Sequence, residues 1–319
     1  MKHIVKIIAI TLLPLLLASC DKTPAPPMLF GASVRAGFEP VYLAREQGYF
    51  SALNLRISEY ASAAEVKQAL RDHTLHMAAI TLDEALQLSR DIPDLKIVLL
   101  LDASNGADAL LAQPGIGNMQ QLQGRRVGVG AAPAAYFLSL ALKSAGMQSG
   151  QVETIPLPAE EQEAAFRAHK VDALVATEPQ RTRLLESGAQ LVFDSARVPG
   201  KLLDVLVVRD DDIGKFHHEM LELVRGWQRG LDYLHAQPDK AAQAMAAHEK
   251  VAPEPLAKAM QGIEWLDLQR NRDLLLGEQP AVGASVEPVQ RYLLERRLIN
   301  MGADASTLLD TTLLDEAKR

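Results

Sequence analysis

The chain has 319 residues, 48% of them hydrophobic and 23% charged, with 33 Lys and Arg against 40 Asp and Glu and a single cysteine. That is an ordinary globular composition, which excludes a disordered chain, a collagen-like repeat and a disulfide scaffold. Aromatics make up only 5% and the net charge is −7, which argues against a nucleic-acid partner, because base stacking needs aromatic surface and phosphate contacts need basic surface. A chain of this length buries a large core and suggests about two domains.

The first twenty residues read MKHIVKIIAITLLPLLLASC. Lys2 and Lys6 give a positive start, and the apolar stretch from Ile7 to Ala18 is too short to cross a bilayer as a mature helix. It ends in Leu17-Ala18-Ser19-Cys20, which matches the bacterial lipoprotein cleavage box. Small residues before the cut fit the peptidase, and the Cys20 thiol takes the lipid. Residues 1–19 are therefore read as a signal peptide, Cys20 as the lipidation site and residues 20–27 as a Pro-rich tether. Removing residues 1–19 takes Lys2 and Lys6 away and leaves 31 basic against 40 acidic residues, a net charge of −9. The lipoprotein resemblance implies three acyl chains, a firm anchor since each buried CH₂ contributes roughly 0.8 kcal/mol. Asp21 resembles the signal that retains lipoprotein in the inner membrane, so the expected location is the periplasmic face of that membrane. The expected fold contains no disulfide.

Beyond the tether, strand and helix patterns alternate. Residues 28–34 read as a strand and 39–47 as a helix with Pro40 in its first turn and Gly48 as its stop. Residues 53–60 alternate as a strand. Ser62 and Glu65 form a capping box that opens a helix to about residue 72. Residues 76–80 make a buried strand, Thr81 and Glu84 a second capping box over a helix at 83–90, and residues 95–101 a strong strand. The pattern then restarts. Strands are expected at 126–130, 152–157, 171–176, 191–194 and 203–208. Helices are expected at 133–145, at 159–170 and from 177 to Gly188. From 213 to 319 the chain reads as helical, broken at Pro238, Pro253, Pro280 and Pro288. Strands alternating with helices imply an α/β fold whose sheets are mostly parallel and flanked by helices. His76–Thr81 echoes Asp172–Thr177, each a buried strand ending in Thr, which supports two similar lobes. Crossovers near 102–108 and 201–205 place residues 28–103 with 205–319 in lobe I and 104–204 in lobe II, with the helical C-terminal region mostly on lobe I.

The usual catalytic signatures do not occur. There is no GxSxG elbow and no HExxH, and the one cysteine is assigned to lipid. His73 and His76 straddle a helix end and a strand start with no carboxylate at ligand spacing. Gly128-Val-Gly130-Ala-Ala-Pro133 follows a strand and opens a helix as a dinucleotide fingerprint does, but Pro133 stands at the third glycine position. No metal and no cofactor are expected, and the chain does not read as an enzyme. Ligands of open α/β sheets sit beyond the carboxyl ends of strands, at helix N-termini. Residues 35–39, 81–83, 131–136 and 177–179 land there, joined by 104–108 at one crossover and Asp204 at the return. Several of these have a structural reading too. Thr81 and Thr177 cap helices, Asp83 and Glu178 suit a helix N-terminus, and Phe38, Tyr42 and Tyr136 suit a core.

The run Gly37-Phe-Glu-Pro-Val-Tyr-Leu-Ala-Arg-Glu-Gln-Gly-Tyr-Phe50 is similar to the N-terminal signature of the nitrate/sulfonate/taurine-type ABC transporter substrate-binding proteins. That group overlaps the thiamine-pyrimidine-precursor-binding-like proteins. Ile80–Leu86, Leu101–Asp108, Val171–Pro179, Phe193–Ser195 and Asp204–Val208 resemble the same group. The resemblance implies a two-lobed periplasmic binding protein of type II, acting as a monomer that closes around a small solute and delivers it to an ABC permease and its ATPase. Carried over position by position, Phe38 and Glu39 line the first-lobe wall and Thr81 and Asp83 join them, while Tyr42, four residues from Phe38 on the same helix face, is a further ligand-binding candidate. Ser104 and Asp108 sit at the hinge, Tyr136 and Glu178 line the second lobe, and Asp204 stands at the return. Related sequences often carry Trp where this chain has Arg35. Group membership suggests an oxyanion or small sulfonate, yet Glu39, Asp83, Asp108, Glu178 and Asp204 are all acidic, and buried carboxylates facing an anion are costly. A cationic, zwitterionic or amide- or heterocycle-bearing solute is the expectation, with Arg35 and helix N-termini taking any acidic group. The alternatives are a lipoprotein that senses a ligand for a membrane signalling protein, and a pyrimidine-synthesis-like enzyme on the same fold.

Overall fold

The computed structural model describes residues 25–318 apart from Ala131, Gln279, Ala303 and Asp304. The signal peptide, Cys20 and the tether up to residue 24 lie outside the described residues.

Among the described residues, eleven strands form two sheets. β1 (Met28–Ser33), β2 (Leu55–Tyr60), β3 (Met77–Thr81) and β4 (Leu95–Ser104) build the first. The chain then crosses to the second sheet for β5 (Ala109–Ala112), β6 (Arg126–Val129), β7 (Glu153–Pro156), β8 (Ala173–Ala176) and β9 (Gln190–Asp194). It returns for β10 (Leu203–Arg209) and β11 (Ile263–Trp265). The strand orders are β11-β4-β10-β3-β1-β2 and β7-β6-β8-β5-β9. Apart from β11 the two orders are the same. The echo between His76–Thr81 and Asp172–Thr177 is therefore architectural, since β3 and β8 hold the same central place. β1 runs parallel to β2 and β3, and β6 parallel to β7 and β8. The strand that enters each half from the other, β5 or β10, inserts antiparallel to both its neighbours. Most strands in each sheet thus share one direction, with the arriving strand reversed.

Helices cover the sheets as local signals dictate. α1 (Glu39–Glu46) has Pro40 in its first turn, and α2 (Ala63–Arg71) starts where Ser62 Oγ accepts from the Glu65 N–H. α3 (Leu82–Leu88) carries the complete Thr81–Glu84 capping box. The second half adds α4 (Ala132–Ser144), α5 (Ala159–Arg167) and α6 (Gln180–Glu186). Thr177 does not cap α6. The Glu178 carboxylate does that work, accepting from the Thr182 N–H at 3.1 Å.

The tail includes α7 (Asp210–Ile213), α8 (His217–Ala236), α9 (Pro238–Glu249), α10 (Pro253–Gln261), α11 (Leu268–Leu275) and α12 (Gly283–Glu295), followed by the short α13 (Ala305–Leu308) and α14 (Thr312–Glu316), and it packs mainly into the first-sheet core. Pro238 and Pro253 open helices, where a missing N–H costs nothing. Pro288 departs from the expected break and sits inside α12. The carbonyl it leaves without a helical donor, that of Ala284, accepts instead from Lys201 Nζ at 2.6 Å. α11 is tied to β4 by the fully buried Asn271, whose side chain pairs with both the N–H and the C=O of Leu100. No helix among the described residues is long and apolar enough to cross a membrane.

Candidate functional site

Three neighbouring strands of the first sheet end together. In register, Asp204 of β10 stands opposite Thr81 of β3 on one side and Asp102 of β4 on the other. Because β10 runs in reverse, its start meets the carboxyl ends of β3 and β4. Arg35 follows β1, and Asp83 lies in the first turn of α3. From the second half, Pro133 and Tyr136 on α4 face them, and Asp108 sits at the crossing. Between these groups is a cleft with about 410 Å³ of empty space, its mouth included. It lies at the place where an α/β sheet binds ligands.

The crossings that join the halves are knitted by hydroxyls. Ser104 Oγ and the fully buried Ser195 Oγ are 2.7 Å apart. Ser195 Oγ also accepts from the Gly106 N–H, and Ser104 Oγ from the Asp108 N–H. Ser104 thus touches the cleft but holds the hinge.

The cleft is acidic and only partly compensated. Asp83 accepts from the Thr81 hydroxyl at 2.7 Å through Oδ1, while its buried Oδ2 has no partner. Burial pushes its carboxyl up to about 6. Asp204 is pushed up to about 6, again by burial, although Arg35 pulls it down. The Arg35–Asp204 pair spans 3.5 Å, and Arg35 is 45% exposed, so this ion pair is loose and partly wet. Asp102 is pushed well up by burial and then by Asp204. Its Oδ2 also has no partner and rests in a notch at Gly37, where a Cβ would collide with it and come within 2.9 Å of Asp204 Oδ2. Burial raises Asp108, with Ser104 and Arg35 opposing. The Tyr136 Oη is buried and unpartnered, and burial raises its pKa. Glu84 is engaged elsewhere, in the capping box and 3.4 Å from Lys67.

The structure brings Arg35, Thr81, Asp83, Ser104, Asp108, Tyr136 and Asp204 to one cleft. Four residues expected there lie elsewhere. Phe38 is 1% exposed in the core, under the Arg35 guanidinium at 5.6 Å. Glu39 and Tyr42 pack against His248, which α9 brings over α1. Glu178 is engaged by Arg181 at 3.1 Å and by the α6 backbone. The cleft that Thr81 lines includes neither Phe38 nor Glu178. Sequence reasoning missed Asp102 and Lys201. Asp102 did carry a signal, an acid closing the wholly apolar stretch 97–101. His76 Nδ1 accepts from the Leu29 N–H at 2.9 Å and stacks on Phe216. Gly128 is glycine because a Cβ would come within 2.9 Å of Leu157 and Leu174, and Gly130 because one would meet Gln162 at 2.8 Å. Core packing explains both. Among the described residues, no group of three or more His, Cys, Asp or Glu is arranged to hold a metal ion.

The model of the NMT1/THI5-like family matches residues 35–241. The chain belongs to the NMT1/THI5-like family. All the runs that carried the sequence resemblance fall inside the matched region. No curated protein matches the chain. Among solved structures, the periplasmic aliphatic sulphonate-binding protein SsuA of Escherichia coli shares the fold with a TM-score of 0.75 at 13% identity, over 90% of this chain and 92% of that one. The alkanesulfonate-binding protein SsuA of Xanthomonas axonopodis pv. citri, bound to MOPS, gives 0.67 at 14% identity, over 92% and 97%. The desulfurization enzyme DszB gives 0.69 at 16% identity, over 91% and 99%. The fold is thus that of the periplasmic binding proteins, two lobes each built on one sheet.

Proposed function

We propose that this protein is the extracytoplasmic solute-binding lipoprotein of an ABC importer, taking a small polar solute between its lobes and delivering it to the permease. The observation that carries this reading is the set of three buried, unpartnered polar atoms at the cleft, Asp83 Oδ2 and Asp102 Oδ2 from one lobe and Tyr136 Oη from the other. Each unpaired buried group costs roughly 1–3 kcal/mol, and a guest held from both sides recovers that cost only when the lobes are shut. Binding therefore stabilises the closed form. Family membership and the sulfonate-binding neighbours support the same reading, and residues 1–27 support a lipid anchor on Cys20 at the periplasmic face of the inner membrane.

The test is a thermal-shift screen of small solutes with solution scattering on any hit. A solute that binds the folded state raises the melting temperature by linkage and should shrink the radius of gyration. A screen without any stabilising solute, or a hit that leaves the dimensions unchanged, would reject the clamp. Because DszB shares the fold, the hit is also recovered after incubation. Recovery of a converted molecule would favour an enzyme.

A further inference from the structure

We infer that the solute is an organic cation carrying N–H donors, such as an ammonium, amidinium or guanidinium, received by Asp83 and Tyr136 above Asp102. This rests on the solute-binding reading and deepens it. Four carboxylates reach the cleft, those of Asp83, Asp102, Asp108 and Asp204, against two basic side chains, Arg35 and Lys201. Both bases are already engaged. Arg35 Nη2 pairs with Asp204, and Lys201 Nζ donates to the Ala284 carbonyl. Lys201 keeps its charge while bonded to a neutral carbonyl, so four acids face two bases, and the single ion pair of Arg35 leaves Asp83, Asp102 and Asp108 without one among the described residues.

Two of those three are buried with an oxygen unpartnered. Asp83 and Asp102 are each 5% exposed, and Oδ2 of both lacks a hydrogen-bond partner. The Tyr136 Oη, across the cleft on a residue 2% exposed, is equally bare. A sulfonate brings only acceptors and a charge of the same sign to this place, which worsens both the unsatisfied oxygens and the repulsion. An ammonium or guanidinium brings several N–H donors in fixed or rotatable geometry and the opposite charge. Its hydrogen bonds to carboxylates are of the charge-assisted, stronger kind. The cleft departs here from the ligand named for its sulfonate-binding neighbours.

Calorimetry on the full chain tests the inference with agmatine and putrescine as N–H cations, tetramethylammonium as a cation without N–H, and ethanesulfonate as the anion. The expected result is binding of agmatine or putrescine with a dissociation constant below about 100 μM and no binding of the other two. Asp83→Asn should weaken that binding at least tenfold while holding or raising the melting temperature, because neutralising a buried, unpaired carboxylate relieves the empty protein. A structural role for Asp83 would lower both. Should that variant fail to fold, Asp102→Asn carries the same test. Ethanesulfonate binding with the amines silent overturns the inference and leaves the solute-binding reading standing. Tetramethylammonium binding as tightly as agmatine overturns the donor requirement. If none of the probes binds, the inference falls, and the thermal-shift screen decides the broader reading separately.

Discussion

His248 reaches down from α9 to two carboxylates, with Nδ1 2.7 Å from Glu39 Oε1 and Nε2 2.9 Å from Glu59 Oε1. Both nitrogens meet carboxylate oxygens only as donors, which describes an imidazolium. Its pKa is pushed up to about 9, by the Glu39 hydrogen bond above all. The cluster is uneven. Glu59 is drawn down by the same ring, but burial pushes the Glu39 carboxyl up despite His248, and Glu39 Oε2 has no partner. The desolvation of Glu39 therefore takes back part of what the imidazolium contributes. A histidine whose folded pKa lies above its unfolded 6.5 gives stability that is complete below 6.5 and lost as pH rises through about 9. Unfolding measured between pH 7 and 9.5 should show a loss on the order of 2 kcal/mol. His248→Gln should flatten that slope, and a slope that survives the substitution would assign it to another group.

The cluster stands on α1, and α1 is positioned by glycines on α8. A Cβ at Gly230 would collide with the Pro40 carbonyl, and one at Gly226 with the Phe50 ring. Ala in place of a mid-helix Gly gains roughly 1 kcal/mol of propensity, whereas overpacking takes roughly 1–3 kcal/mol. The Pro40 carbonyl is backbone and cannot swing aside, while the Phe50 ring can. Gly230→Ala should therefore lower the urea midpoint, and Gly226→Ala should lower it less. A midpoint raised by Gly230→Ala would mean that α1 moves freely on α8. Elements of this kind divide into those the sequence makes legible and those it does not. The β1–β4 and β6–β9 strands and α1 to α6 announce themselves locally through caps, glycine stops and apolar runs. β5 does not, being four residues buried throughout with no alternation to read, nor does β11, three residues inside a helical tail. The reverse insertion of β10 is a non-local pairing, and it alone sets Asp102 beside Asp204. Likewise, Glu39 and Tyr42 meet His248 only through the docking of α9 over α1. The residues at strand ends were legible as site candidates because the fold class fixes where ligands sit. Those on α1 were not, because their surroundings come from the far end of the chain.

At the scale of the whole molecule, α12 spans the two lobes. It packs on α3 of one and α4 of the other. Val289 lines the cleft, and the Tyr292 ring is 5.2 Å from that of Tyr136. Its N-terminal turn also grips the return crossing, where Lys201 Nζ donates to Ala284 and Ser285 Oγ donates to the Gly200 carbonyl at 2.5 Å. Pro288 makes the first of these bonds available, because an ordinary residue there would offer its own N–H to Ala284. Opening of the lobes about the crossings must slide α12 over α4 or break this grip, so the grip biases the empty protein toward the shut form. Lys201→Met keeps the apolar stem and removes the ammonium. The variant should be less stable by only about 1 kcal/mol, yet its radius of gyration without solute should grow. Ser285→Ala, which lies outside the cleft, should produce swelling of the same sign. Ser285→Ala, which leaves the charge of the cleft unchanged, should bind solute more weakly in proportion to the smaller fraction already shut. Scattering curves that match the parent for both variants, with stability alone reduced, would confine the grip to local packing and remove α12 from the control of closure.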